Sequence, residues 1–217
     1  MVEHKIVYNG GSGEIVEKKS RFIANVFPVE SEEEAFGIIE ETKKKYWDAR
    51  HNCHAFVIGA RGEITRCSDD GAPSGTAGRP ILEVITGAGI HNVLVIVTRY
   101  FGGTLLGTGG LVRAYSQAAQ AGLAESQVVT KQVGRKLTID TDYNGIGKLQ
   151  YIAAQLELAV LDTVYSDKVQ MVVLAPEDKV HALEKKVTEA SSGQASIDIS
   201  DELYFAEIDG EAVVFED

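Results

Sequence analysis

His51-Asn52-Cys53-His54-Ala55-Phe56-Val57-Ile58-Gly59-Ala60-Arg61-Gly62-Glu63-Ile64-Thr65-Arg66-Cys67-Ser68-Asp69-Asp70 is the stretch that orients the reading of this chain. Asn52 to Ile58 reads as one strand and Glu63 to Asp69 as a second, with Gly59-Ala60-Arg61-Gly62 as the turn of a hairpin. Symmetric closure pairs Ile58 with Glu63. Extending that register sets His54 opposite Cys67, Asn52 opposite Asp69 and His51 opposite Asp70. One end of the hairpin then gathers His51, Asn52, Asp69 and Asp70, and a slip of one residue would flip every face.

Upstream, Ser20 to Val29 is β-rich and roughly alternating, which predicts a strand. Ser31-Glu32-Glu33-Glu34 supplies an N-cap, a Glu three residues later and an acidic first turn. Ala35, Ile38, Ile39 and Tyr46 follow at helical spacing, and Lys43-Lys44-Lys45 stands near the end, so a helix is predicted over 32–46. Downstream, Gly71-Ala72-Pro73-Ser74-Gly75-Thr76-Ala77-Gly78-Arg79-Pro80 reads as a loop, and 80–88 as a short helix. Val93 to Val97 is a continuous apolar run, the pattern of a buried strand. It ends in Thr98-Arg99-Tyr100-Phe101, followed by Gly102-Gly103 and Gly107-Thr108-Gly109-Gly110. Leu111, Ala114, Tyr115, Ala118, Ala119 and Leu123 predict a helix over 110–125.

The last third has a different rhythm. Strands are predicted over Arg135–Asp142, Ala159–Tyr165, Lys168–Ala175 and within Ile197–Glu207, with helices over Tyr143–Leu156 and Pro176–Ala190. That order is βαββαβ, the ferredoxin-like arrangement. The fold class is therefore α+β in two domains, 1–133 and 134–217, divided near Thr130 to Gly134.

A chain of 217 residues is long enough for two cores, and 44% hydrophobic with 24% charged residues is ordinary for a globular protein. No apolar run approaches the length that spans a membrane, and Met1-Val2-Glu3-His4-Lys5 leads into no secretory h-region. Two cysteines, Cys53 and Cys67, make no disulfide framework. These features predict a cytoplasmic protein with no membrane partner. The net charge is −11, unevenly spread. Residues 1–130 hold 13 Lys/Arg against 15 Asp/Glu, and residues 131–217 hold 8 against 17. RNA contact therefore needs a local basic patch in the first half, because phosphate binding rests on Lys and Arg. Lys18-Lys19, Arg21 and Lys43-Lys44-Lys45 are its candidates, although lysines at a helix end also complement the dipole. The acidic second half is a solvated surface or a face for a basic protein partner.

Three constellations carry chemistry. Glycines before a helix let backbone N–H groups converge on an anion, and Arg99 and Arg113 could add charge. The spacing from Gly102 to Gly107 is that of a phosphate loop, but Thr108 stands where the lysine belongs, which excludes that class of nucleotide triphosphatase. Asp69-Asp70 could bind a cation or act as acid and base, or could cap turns. The cluster His51, Asn52, His54 and Cys67 lacks the CxxC or HExxH spacing of zinc sites, so no metal and no cofactor are expected. The candidate ligand or anion set is Asp69, Asp70, Ser74, Gly75, Thr76, Arg79, Arg99, Gly102, Gly103, Gly107, Gly109, Gly110 and Arg113. No residue is assigned as catalytic.

Six blocks in order resemble the YigZ/IMPACT family. They are Lys19-Ser20-Arg21-Phe22-Ile23-Ala24, His51 to Phe56, Ser68-Asp69-Asp70-Gly71, Pro73 to Gly78, Thr98 to Gly103 and Leu106 to Tyr115. The acidic βαββαβ tail resembles the second domain of bacterial members. The resemblance implies a first domain like domain IV of elongation factor G and a second like that factor's ferredoxin-fold end domain. It also implies a link to translation, with RNA or the ribosome as partner of the first domain. Eukaryotic relatives act through Gcn1 by way of an RWD module. Only a short leader is expected before the shared domain here, so Gcn1-type binding is not carried over. The family's usual Glu after Asp-Asp-Gly is Ala72 in this chain, so a role needing that carboxylate is not carried over either. Three readings follow: a non-enzymatic RNA- or ribosome-binding protein, a hydrolase or phosphate-ligand enzyme using His51, Asp69 and Asp70, and a protein-docking module. The first is favoured.

Overall fold

The computed structural model describes residues 1–216 as two compact units, one of His4–Thr130 and one that starts at Lys131 and includes Met1–Glu3. The first contains β1 (His4–Asn9), β2 (Ser12–Glu17), β3 (Ser20–Pro28), α1 (Glu32–Lys45), β4 (His51–Ile58) and β5 (Ile64–Ser68). It continues with α2 (Gly78–Gly87), β6 (Ile90–His91), β7 (Val93–Tyr100) and α3 (Gly107–Ala124). Strand β8 (Gln127–Thr141) crosses the boundary. After it come α4 (Ile146–Gln155), β9 (Ala159–Tyr165), β10 (Val169–Pro176), α5 (Glu177–Ala190), β11 (Ser196–Ile199), β12 (Leu203–Ile208) and β13 (Glu211–Phe215). The chain is α+β.

The first unit is built around β7. Its sheet runs β2-β3-β7-β4-β5, with every neighbouring pair antiparallel. Side chains alternate across a strand, so Val93, Val95 and Val97 point one way and Leu94 and Ile96 the other. The odd row packs with Ile81 and Ile85 of α2 and with Leu111, Ala114, Tyr115 and Ala118 of α3. The even row packs with Ala35 and Ile39 of α1. Helices on both faces explain why the run is apolar without alternation, and each buried aliphatic side chain contributes about 1.5–3 kcal/mol. Helix α1 starts at Ser31, whose Oγ accepts from Glu34 N. The Glu34 carboxylate reaches back to Glu30 N rather than to Ser31 N.

The hairpin differs from the expected register by one residue. Ile58 pairs with Ile64, Ala55 with Cys67 and His54 with Ser68. Glu63 belongs to the turn, where its carboxylate accepts from Arg61 N while Gly62 N donates to Gly59 O. The expected His54–Cys67 and Asn52–Asp69 pairs are therefore not formed. The expected loop over 71–80 is also shorter, because α2 begins at Gly78. Pro80 sits in its first turn, where a missing N–H breaks no helical bond. Helix α3 begins at Gly107 rather than at 110, so three of the loop glycines are helical. Strands β1, β2, β6 and β13 were not expected. Strand β2, Ser-Gly-Glu-Ile-Val-Glu, is largely exposed and gains its place from α3.

In the second unit, β10 lies between β8 and β9, and β11 pairs with the other side of β8, all antiparallel. The β12–β13 hairpin continues that edge through pairs such as Tyr204 with Val133. Leu137, Ile139, Met171 and Val173 of the sheet pack against Leu149 of α4 and Leu183 and Val187 of α5.

Close approach fixes where α3 lies. A Cβ on Gly13 would stand 2.5 Å from Ala121 C and 2.7 Å from Gly122 N, so strand and helix backbones touch there. Gly13→Ala is expected to destabilise the protein by about 1–3 kcal/mol. Gly37 lies within α1 with open space around it, and Gly37→Ala is expected to stabilise by about 0.5–1 kcal/mol. Chemical denaturation of the two variants beside the wild type checks both signs.

Candidate functional site

Arg99 continues the odd row of β7 beyond the aliphatic core. Its register partners are Phe22 on β3 and His51 on β4, so the three form one row across the sheet. The residue is only 8% exposed. Its guanidinium carbon lies 5.4 Å from the Phe22 ring centroid and 5.6 Å from that of Phe101. One amino group, Nη2, donates to Ser20 Oγ at 3.4 Å, a long bond, and Nε has no partner. Among the described residues no carboxylate pairs with it. Four other cations of this unit are paired: Arg21 with Glu14, Lys43 with Asp70, Arg66 with Glu32 and Arg79 with Glu83.

A cleft of about 420 Å³ opens over this guanidinium. Arg50, His51 and Arg99 give it a polar side, and Gly107 and Thr108 of α3 a second. Pro73, Phe101, Leu105, Leu106 and Leu111 form the apolar remainder. Leu105 is 82% exposed and Phe101 53% exposed. Helix α3 has no side-chain N-cap and no acidic residue in its first turn. Its leading N–H groups and the positive end of its dipole therefore lack a side-chain counter-group. Gly102 holds the approach to the cleft: its N donates to Ser20 Oγ, and a Cβ there would stand 2.1 Å from Lys19 C.

The acidic pair works as structure. Asp69 accepts from Gly75 N, Ala77 N and Gly78 N, which folds the loop and caps α2. Partial burial opposes ionisation of Asp69, but those three donors outweigh it and hold the carboxyl below its ordinary value. Asp70, at a left-handed φ of 42°, accepts from Asn52 N through Oδ2 and pairs with Lys43 through Oδ1. Its carbonyl accepts from His51 Nδ1 at 2.9 Å, which leaves the other ring nitrogen of His51 free of that bond. Neither aspartate lines the cleft.

The other candidates disperse. Strand alternation turns Asn52 and His54 to the face opposite His51. Asn52 accepts from Thr98 Oγ1, and burial pushes the His54 imidazole below its ordinary value, with Lys43 acting the same way. Cys67 is exposed on edge strand β5. Cys53 lies in the core, where burial pushes its thiol up to about 12. No group of three or more His, Cys, Asp or Glu among the described residues is arranged to hold a metal ion. Thr76 donates to Pro73 O within the loop, and Ser74 is exposed on it. Arg79 faces outward with Glu83. Arg113 and Gly110 border a separate recess with Glu17 and Lys18. Gly103 and Gly109 flank the start of α3 without lining the cleft. Arg50, Phe101, Leu105 and Leu106 escaped the sequence reading. Their signal was two adjacent leucines inside a glycine-rich segment, of which Leu106 packs partly against the core while Leu105 stays exposed. No helix among the described residues is long and apolar enough to cross a membrane.

Residues 18–123 match the family model of the Impact N-terminal domain, and residues 139–194 match a domain of unknown function, DUF1949. The chain is 38% identical over 191 residues to the IMPACT family member YvyE of Bacillus subtilis, covering 88% of each protein. It is 33% identical over 182 residues to the IMPACT family member YigZ of Escherichia coli, covering 83% of this chain and 89% of that protein. A crystal structure described as that of a hypothetical protein is 31% identical, with a TM-score of 0.59, over 91% of this chain and 97% of that one.

Asp69→Asn removes the charge from three backbone hydrogen bonds and is expected to destabilise by about 1.5–3 kcal/mol at neutral pH. The ionised carboxylate contributes fully above the unfolded value of about 3.9, and its contribution is lost as pH falls through the lower folded value. Urea unfolding of both proteins across pH 2–7 (roughly the span of carboxylate titration) should therefore show their stabilities converging at the acid end.

Proposed function

Because this chain belongs to the IMPACT family, we propose that it is a non-enzymatic, translation-linked cytoplasmic protein that docks on RNA or the ribosome through its first unit. The observation that carries the reading is Arg99, a buried cation with no carboxylate partner among the described residues, beside the start of α3, which has no side-chain cap. Anionic backbones are the natural partners of such a surface. The uses of Asp69 and Asp70 as backbone acceptors favour binding over hydrolysis.

At finer grain, we read the first unit as similar to domain IV of elongation factor G and the second as ferredoxin-like. The strand order β9-β10-β8-β11 with α4 and α5 between strands supports the second assignment. We take residues 1–133 and 134–217 as the functional modules. The acidic second module offers a face to a basic protein partner.

Sedimentation of cell lysate through sucrose at low and moderate salt tests the reading. The protein is expected in ribosomal fractions at low salt and less so as salt rises, since released counterions drive phosphate contacts. Arg50→Ala and Arg99→Met should each lower the bound fraction several-fold. Absence from every ribosomal fraction, with no effect of either substitution on RNA retention, would contradict it.

A further inference from the structure

We infer that the cleft between Arg99 and the start of α3 holds the terminal phosphate of a nucleotide, with the base against Phe101 and Leu105. The inference rests on the reading of the first unit as an RNA-binding surface, and names the part of the RNA that would sit there. Three independent features meet in one place. Arg99 is more than nine-tenths buried, its Nε has no partner, and it lines the cleft. Helix α3 is 18 residues long, has no side-chain cap, and lines the same cleft with Gly107 and Thr108 at its start. Arg50 and His51 add polar donors at the same side.

Two positive poles facing one space repel each other unless an anion lies between them. A terminal phosphate, with more negative charge and more free oxygens than an internal phosphodiester, suits this concentration of donors. The rest of the lining argues for more than inorganic phosphate. Exposed Phe101 and Leu105 form an apolar shelf beside the anion pole. Aromatic side chains in that position receive bases by stacking, without regard to sequence. A cavity of about 420 Å³ suits one nucleotide. Two sources present the same chemistry: a free nucleoside 5′-monophosphate and the 5′-phosphorylated end of a single-stranded RNA.

Calorimetric titration of the full chain with four probes tests the site: AMP, inorganic phosphate, and one hexaribonucleotide with either a 5′-phosphate or a 5′-hydroxyl. The phosphorylated RNA or AMP, or both, should bind at least tenfold more tightly than the hydroxyl RNA and inorganic phosphate. Which of the two binds identifies the source. Thr108→Glu places a carboxylate at the helix start, which favours the helix dipole, so its melting temperature should hold or rise while affinity falls at least tenfold. Arg99→Met should lose affinity as well, and Phe101→Ala should weaken AMP more than inorganic phosphate. Equal binding of the phosphorylated and hydroxyl RNAs would overturn the site while leaving RNA binding intact. AMP binding with no RNA binding would overturn the RNA reading and keep the site. Inorganic phosphate binding as tightly as AMP would overturn the nucleotide assignment, and full affinity in folded Thr108→Glu would overturn the location.

Discussion

The guanidinium of Arg99 lies against the rings of Phe22 and Phe101, largely buried at the base of the cleft and without a carboxylate partner among the described residues. Moving a charge into such a place is costly unless it is paired. Cation–π contact with two rings returns about 1–2 kcal/mol at most sites, and one long bond to Ser20 adds little. Evolution had simpler solutions available, and the chain uses them elsewhere: Lys43 meets Asp70, and Arg66 meets Glu32. The two aspartates nearest in sequence to the cleft loop are committed to backbone N–H groups instead. The positive end of α3 opens onto the same space, which sharpens the constraint rather than relieving it.

The fold delivers this arrangement through strand alternation. Val93, Val95 and Val97 fix one face of β7 against α2 and α3, and Arg99 is the next residue of that row. The row is extended sideways by Phe22 and His51. Gly102 lets the chain press against Lys19 as it leaves the strand, and α3 then starts over the guanidinium. His51 is steadied by the Asp70 carbonyl, and Asp70 is steadied in turn by Asn52 and Lys43. The hairpin end is thus a brace for the cleft rather than a reaction centre. Helix α1 takes part through Lys43, which pairs with Asp70.

Much of this was legible in the sequence, for reasons tied to particular residues. The continuous apolar run at Val93 read as a buried strand, which it is, and Ser31 with Glu34 announced α1. The sequence also placed Arg99 and Gly107 on either side of a glycine-rich helix start, and the structure brings both to one cleft. The hairpin register was not legible, since Glu63 fits a strand end or a turn equally well and only its bond to Arg61 N decides. The start of α3 was hidden because Gly107, Gly109 and Gly110 have low helix propensity, which packing of Leu111 and Tyr115 overrides. Strand β2 was hidden because its place depends on contact with α3, distant in sequence. Leu105 and Phe101 were passed over because exposed apolar residues are common singly, and their meaning comes only from facing one cleft.

The most direct measurement is the NMR response of the free protein to added phosphate ester. Spectra of labelled protein would follow the Arg99 side-chain Nε–H and the backbone amides of Gly107 and Thr108 during addition of AMP. The account predicts saturable shifts at these three N–H groups together. Saturable shifts elsewhere, with Arg99 and the start of α3 unmoved, would contradict it.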